Sequence, residues 1–432
     1  MIHPIEYRYG SQEMKQIFEE EQKLQFFLDV EAALAEAHAR LHHIPAHEAE
    51  AIRKAATTTI VTLERVKDIE KITRHDMMAV AEALSEASHS GFVHMGATSN
   101  DITDCANALQ LHRAGDIILK DISELEDILS SLAKKHINLV CVGRTHAQHS
   151  VPTTYGMKFA LYLDEVRRNE RRISTALDSI YGKMSGAVGT MASMEDGLTI
   201  QELVGEILGI PMASITNQIV QRDTYAEFLG ALAILASTLD KIATEIRNLQ
   251  RTEIGEVAEG FASGQVGSST MPHKKNPITC EKISGLSRVI YSLIFPALQN
   301  NVLWHERDLT NSSCERVILV ESCVLTDEIL KAMKTVLTNL VFNEKNIKRN
   351  LYMQPQSLAE AVMIALTERG MPRQTAHKLL QNLSKSDNFL EAVQKDSQIQ
   401  DLLSKEEIKS LLTPENYIGE SVALVQRILD QK

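Results

Sequence analysis

Apolar residues recur along this chain at helical spacing and seldom at strand spacing. From Tyr225 they fall at Phe228, Leu229, Leu232, Leu235, Leu239, Ile242, Ile246 and Leu249, a helical stripe sustained for about seven turns. A second stripe runs through Ile118, Ile122, Leu125, Leu129 and Leu132. Each stripe gives its helix one apolar face, which must be buried against another such face. The prolines agree with this reading. Only ten occur, with none between Pro45 and Pro152 or between Pro296 and Pro355, and a proline inside a helix removes a hydrogen bond and crowds the preceding turn. Alternating stretches are scarce. The pattern predicts an all-α protein with a central bundle of long helices.

A chain of 432 residues is too long for one compact core and predicts two or three domains. Three helical regions are expected: residues 1–97, a central long-helix region 98–347, and a smaller unit 348–432. The last should be helical from near Pro355, with breaks at Gly370-Met371-Pro372 and at Pro414. Stripes this long leave apolar surface for other copies of the chain, so a homo-oligomer is expected.

Composition narrows the class. Hydrophobic residues at 44% and charged residues at 24% are those of a soluble globular protein. No apolar run is long enough to span a bilayer, and Met1-Ile2-His3-Pro4-Ile5-Glu6 lacks the parts of a secretory signal. Five cysteines (105, 141, 280, 314 and 323) show no paired spacing and read as reduced thiols of a cytoplasmic protein. No metal or organic cofactor is indicated. The net charge of −12 counts against a nucleic-acid partner, which needs a basic face. It also sets a condition: an anionic substrate would be repelled by the global field, so local Arg, Lys and backbone N–H groups must bind it.

Three polar clusters could carry chemistry. The first is Gly267-Ser268-Ser269-Thr270-Met271-Pro272-His273-Lys274-Lys275-Asn276-Pro277, in the loop 264–277. Its hydroxyls, cation and amide lie between a glycine-studded approach and two stiffening prolines. Such a loop can surround an anion with backbone N–H groups, Lys274 and Asn276. The second is His94-Met95-Gly96-Ala97-Thr98-Ser99-Asn100-Asp101, before a periodic run. Thr98 or Ser99 could cap that helix, and the same helix start could bind a carboxylate. The third is Gly143-Arg144-Thr145-His146-Ala147-Gln148-His149, a short polar connection ahead of Pro152.

Taken as an ordered string, the first cluster closely resembles the signature loop of the fumarase/aspartase superfamily, and all three clusters are similar to its separated conserved regions. Thr73-Arg74-His75-Asp76, Arg8-Tyr9 and the stretch from Trp304 to Arg316 are most similar to the branch acting on succinyl nucleotides. Met95 departs from it, standing where relatives often carry an aromatic. The resemblance implies a helical homotetramer with each active site built from three chains. It implies anti-elimination of fumarate from adenylosuccinate, giving AMP, and from the preceding succinylaminoimidazole carboxamide ribotide. Other fumarate-releasing lyases, such as argininosuccinate lyase, share the loop, and some superfamily members are structural oligomers.

The same resemblance implies the roles. Ser268 would be the base, with Ser269 binding substrate beside it, and Lys274 with the loop amides would stabilise its alkoxide. Lys274, Asn276, Thr98 and Ser99 would also surround the developing aci-carboxylate. His146 would protonate the leaving nitrogen, oriented by Glu281, and His75 is the rival acid. Arg8, Tyr9, Arg74, Asp76, His94, Gln218, Arg307, Ser312 and Arg316 would contact substrate, the arginines matching phosphate and carboxylate with a bidentate fork.

Overall fold

The computed structural model describes residues 2–260, 271 and 274–431, so the expected base Ser268 and its neighbour Ser269 lie outside the described residues. Helices make up 67% of the structure, and the all-α expectation holds. The longest are Ser99–Lys135, Tyr155–Asp178, Asp223–Leu249, Ile278–Gln299 and Thr310–Thr338. Every apolar position of the 225–249 stripe is buried, as are Ile118, Ile122, Leu125 and Leu129, while Leu132 at the end of the second stripe is half-buried. The helical period therefore reports the core faces correctly. No helix among the described residues is long and apolar enough to cross a membrane.

The chain forms two compact units, each assembled from three separate stretches of sequence. The first comprises Met1–Ser123, Arg168–Asp240 and Ile283–Lys331. In it, helix Glu20–Arg40 buries Leu24, Phe26, Leu28, Val30 and Leu34 and packs on helices Ala46–Ala55 and Gly197–Leu208. Helix Leu63–Thr73 packs on Asp76–Ser88, and only two residues separate them. Arg74 ends the first helix in the left-handed conformation, and the His75 ring caps the second.

The second unit comprises Glu124–Arg167, Lys241–Lys282 and Ala332–Lys432. It contains an antiparallel hairpin of Val140–Thr145 with Gln148–Thr154, and a short pairing of Val257–Ala258 with Val341–Phe342. The first hairpin is where the sequence reading expected only a polar connection. Cys141, Val142, Pro152 and Thr154 are its buried positions, too few to register as a strand pattern. The C-terminal helices bury Leu358, Val362, Leu366, Leu380, Phe389, Val393 and Ile408 together. Breaks fall where expected: Pro372 sits just before helix Arg373–Leu383, and Pro414 opens a short 3-10 turn.

Candidate functional site

In the first unit the helix ends converge on a cleft of about 950 Å³. Arg74, His75, Asp76, Thr98, Ser99, Gln218, Arg307, Ser312 and Arg316 all line it. Residues far apart in sequence, each singled out as a substrate contact or as the rival acid, thus meet on one surface.

Local structure explains how each is presented. The His75 Nδ1 accepts the Met78 N–H at 3.3 Å as the helix cap, leaving Nε2 for a ligand. At the start of Ser99–Lys135 the cap is made by Asp101, whose carboxylate accepts the Thr98 N–H at 2.7 Å, the reverse half of a capping box. Thr98 and Ser99, the residues expected as possible caps, both line the cleft. Asp101 is itself fully buried and paired with Lys183, and it accepts the Ser185 N–H at 2.8 Å. Arg316 pairs with Asp76 at 2.8 Å, and Arg307 donates to the Gln218 side-chain oxygen at 3.2 Å. Burial holds Arg307 below the ordinary arginine range.

The cleft also contains charges that the sequence reading missed. Lys23 lies on helix Glu20–Arg40 and reaches the cleft, with its ammonium 5.7 Å from the Phe27 ring centroid. Burial and then the nearby Arg316 cation lower its pKa, against the pull of Asp76 and Glu20. Arg222, also lining, is fully buried. It donates to Glu315 at 2.7 Å and to Asp104 at 2.8 Å, and lies over the Tyr225 ring at 4.7 Å. Burial opposes its charge, yet the two carboxylates hold its pKa well above the ordinary value. Asn311 supports the trio through Glu315 at 2.9 Å. Local sequence carries no sign of these roles, because Lys23 falls in an ordinary charged helix and the partners of Arg222 lie about a hundred residues away on either side.

Three other expected contacts lie in the same unit but not on the cleft lining. Arg8 is exposed near the N-terminus, 5.9 Å from the Tyr9 ring centroid. His94 turns to the buried Glu31, with its Nδ1 2.6 Å from the carboxylate. Burial alone would depress His94, but the Glu31 bond and charge outweigh it and raise the pKa.

The second unit carries the remaining expected residues. His146 stands exposed at the tip of the hairpin, where Thr145 pairs with Gln148. His146 and Ala147 both have positive φ, 52° and 60°, the requirement of the tight turn that suits a hairpin's twist. Neither is a glycine or asparagine, so each costs about 1–2 kcal/mol. Lys274 is exposed, Asn276 is half-buried, and Glu281 is exposed in the first turn of Ile278–Gln299. That helix start is capped by Glu259, which accepts the Cys280 N–H at 2.6 Å. Among the cysteines, burial pushes the thiols of Cys105, Cys141 and Cys323 up to about 12, which removes them from thiolate chemistry at neutral pH.

A lyase family model matches residues 6–291, and a model described as the adenylosuccinate lyase C-terminus matches residues 355–428. The adenylosuccinate lyase of Pyrococcus abyssi is 56% identical over 99% of this chain and 97% of its own length. That of Methanothermobacter thermautotrophicus is 50% identical over 100% of this chain and 98% of its own. Among solved structures, a fumarate lyase from Mesorhizobium sp. BNC1 superposes with a TM-score of 0.89 at 28% identity, covering 98% of each chain. A 3-carboxy-cis,cis-muconate lactonizing enzyme from Pseudomonas putida gives 0.89 at 30% identity, covering 99% of this chain and 98% of its own. The shared architecture hosts different reactions, so fold alone does not choose among them.

The lyase match over most of the chain makes this protein an enzyme of the lyase class, one that breaks a carbon–nitrogen bond. Full-length identity of this order goes further: the chain belongs to the adenylosuccinate lyase family.

Proposed function

We propose that this enzyme eliminates fumarate from adenylosuccinate to give AMP, and from succinylaminoimidazole carboxamide ribotide in the same manner. The observation that carries this reading is the cleft. In a chain of net charge −12, Lys23, Arg74, Arg307 and Arg316 line one cavity beside the hydroxyls of Thr98, Ser99 and Ser312. A substrate bearing a phosphate and two carboxylates needs such a local concentration of cations and donors.

In this reading Ser268 removes the proton from the carbon next to a succinyl carboxylate. Negative charge moves onto the carboxylate oxygens, where Lys274, Asn276, Thr98 and Ser99 stabilise it, the term that usually dominates such catalysis. The electron pair then returns to form the carbon–carbon double bond of fumarate as the C–N bond breaks. His146, oriented by Glu281, delivers a proton to the leaving nitrogen. His75 orients the nucleotide, and Arg8, Tyr9, His94, Asp76, Gln218 and Ser269 complete the contacts.

The working form in this reading is a cytoplasmic homotetramer whose sites draw on three chains. Phe295, Leu298, Val302 and Trp304 support it, being 56–78% exposed along and just past one long helix of the single chain. Apolar surface of that kind is characteristic of an interaction face.

The test is direct. Purified protein is incubated with adenylosuccinate while the ultraviolet spectrum is followed for conversion to AMP. Turnover is expected from the native protein and none from a folded Ser268→Ala variant. Failure of the native tetramer to convert the substrate would reject the assignment, and near-normal turnover by the variant would reject Ser268 as base.

A further inference from the structure

We propose that Glu256 is the positioning residue of the general acid: its carboxylate grips the hairpin on both sides of the tip and so fixes where His146 stands. The inference rests on the reading of His146 as that acid.

The Glu256 side chain is fully buried and accepts from three donors. The Arg144 guanidinium donates to one oxygen, the Tyr155 hydroxyl to the other at 2.6 Å, and the Asn350 amide to the first at 2.8 Å. Arg144 lies two residues before His146 on the first strand. Tyr155 follows the second strand directly as the first residue of helix Tyr155–Asp178. One carboxylate therefore holds the chain where it enters the hairpin tip and where it leaves the ribbon. Asn350, on helix Glu344–Leu351, ties that carboxylate to a separate support.

The anchor is itself immobilised. The Glu256 N–H donates to the Leu249 carbonyl at 3.0 Å, and its own carbonyl accepts the Asn343 N–H at 2.9 Å. Asn350 also donates to the Ile254 carbonyl at 2.9 Å. Burial would make an unpartnered carboxylate here costly, but the donors offset it and hold Glu256 below its ordinary pKa.

The hairpin needs such a tether. A two-stranded ribbon is marginal by itself. This one has an irregularity in its pairing between Val142 and Arg144, and two positive-φ residues at its tip. The exposed His146 ring takes its place from the ribbon backbone, so loss of the tether moves the proton donor. A misplacement of about 1 Å costs on the order of 10²-fold in rate.

The experiment compares Glu256→Gln in the full-length enzyme with the same change in a His146→Gln background, measuring kcat, KM and melting midpoint. Glu256→Gln alone is expected to lower kcat by about 10²-fold with KM unchanged. In the His146→Gln background it should lower the residual rate no further. Arg144→Gln, which cuts the same tether from the hairpin side, should behave alike and decides the matter if Glu256→Gln does not fold. Wild-type kcat in a folded variant, or an equal loss in both backgrounds, overturns the proposal. A His146→Gln enzyme that turns over normally would instead reject the acid assignment, whatever Glu256 does.

Discussion

In the first unit Arg222 lies fully buried between Asp104 and Glu315, whereas in the second His146 stands exposed on a turn whose two central residues both have positive φ. The two regions handle charge in opposite ways. The cleft keeps permanent cations in place with side-chain partners: carboxylates hold Arg222 and Arg316, and Gln218 accepts from Arg307. A guanidinium never gives up its proton, so burying it with partners costs nothing in function. In the proposed mechanism His146 donates a proton and must exchange it with substrate and solvent, so an open ring suits that role and the constraint passes to the backbone. The strain at the hairpin tip and the buried Glu256 tether are the structural counterparts of that exposure.

The difference can be broken most severely at His146. His146→Gln should lower kcat by about 10²–10⁴-fold, the usual contribution of general acid catalysis, while substrate affinity measured by titration stays near normal. Mixed with folded Ser268→Ala protein, it should regain part of the activity as subunits exchange. A wild-type rate would remove His146 from the mechanism.

Arg222→Met should act on stability first. It leaves Asp104 and Glu315 buried without their cation, a loss of about 3–5 kcal/mol, readable as a lower midpoint in chemical denaturation. A change under about 1 kcal/mol would mean that the trio behaves like an exposed ion pair.

Arg316→Gln should give a smaller effect, and on binding only. Removing one charge-assisted contact worth about 1.5–3 kcal/mol should raise KM about 10- to 100-fold, with kcat nearly unchanged. A fall in kcat with constant KM would place Arg316 in the chemical step and blur the separation of roles.

Much of the cleft was legible residue by residue. Arg74, His75, Thr98, Ser99, Arg307, Ser312 and Arg316 fall in ordered local strings that carry the family resemblance, Gln218 is implied by the resemblance alone, and the structure brings all of them onto one lining. Such strings are legible because helix ends and tight turns are built from neighbours in sequence. Lys23, Arg222 and Glu256 were not legible. Each is an ordinary charged residue in its own segment and gains a role from partners brought by folding, as Arg222 does from Asp104 and Glu315. In the sequence the His146 hairpin reads only as a polar connection, because its strands are short and half-buried, without the alternation that marks a strand.

The sequence by itself determined that long helices form, which of their faces are buried, and which short strings carry chemical groups, since periodicity, turns and caps are all local. Only the tertiary structure decided which of those strings share a surface, that Arg222 is held by two carboxylates, and that one buried glutamate secures the ribbon carrying His146. The physical reason is distance along the chain. A carboxylate paired with a cation a hundred residues away leaves no periodic trace, and its energy exists only once water has been excluded around both partners.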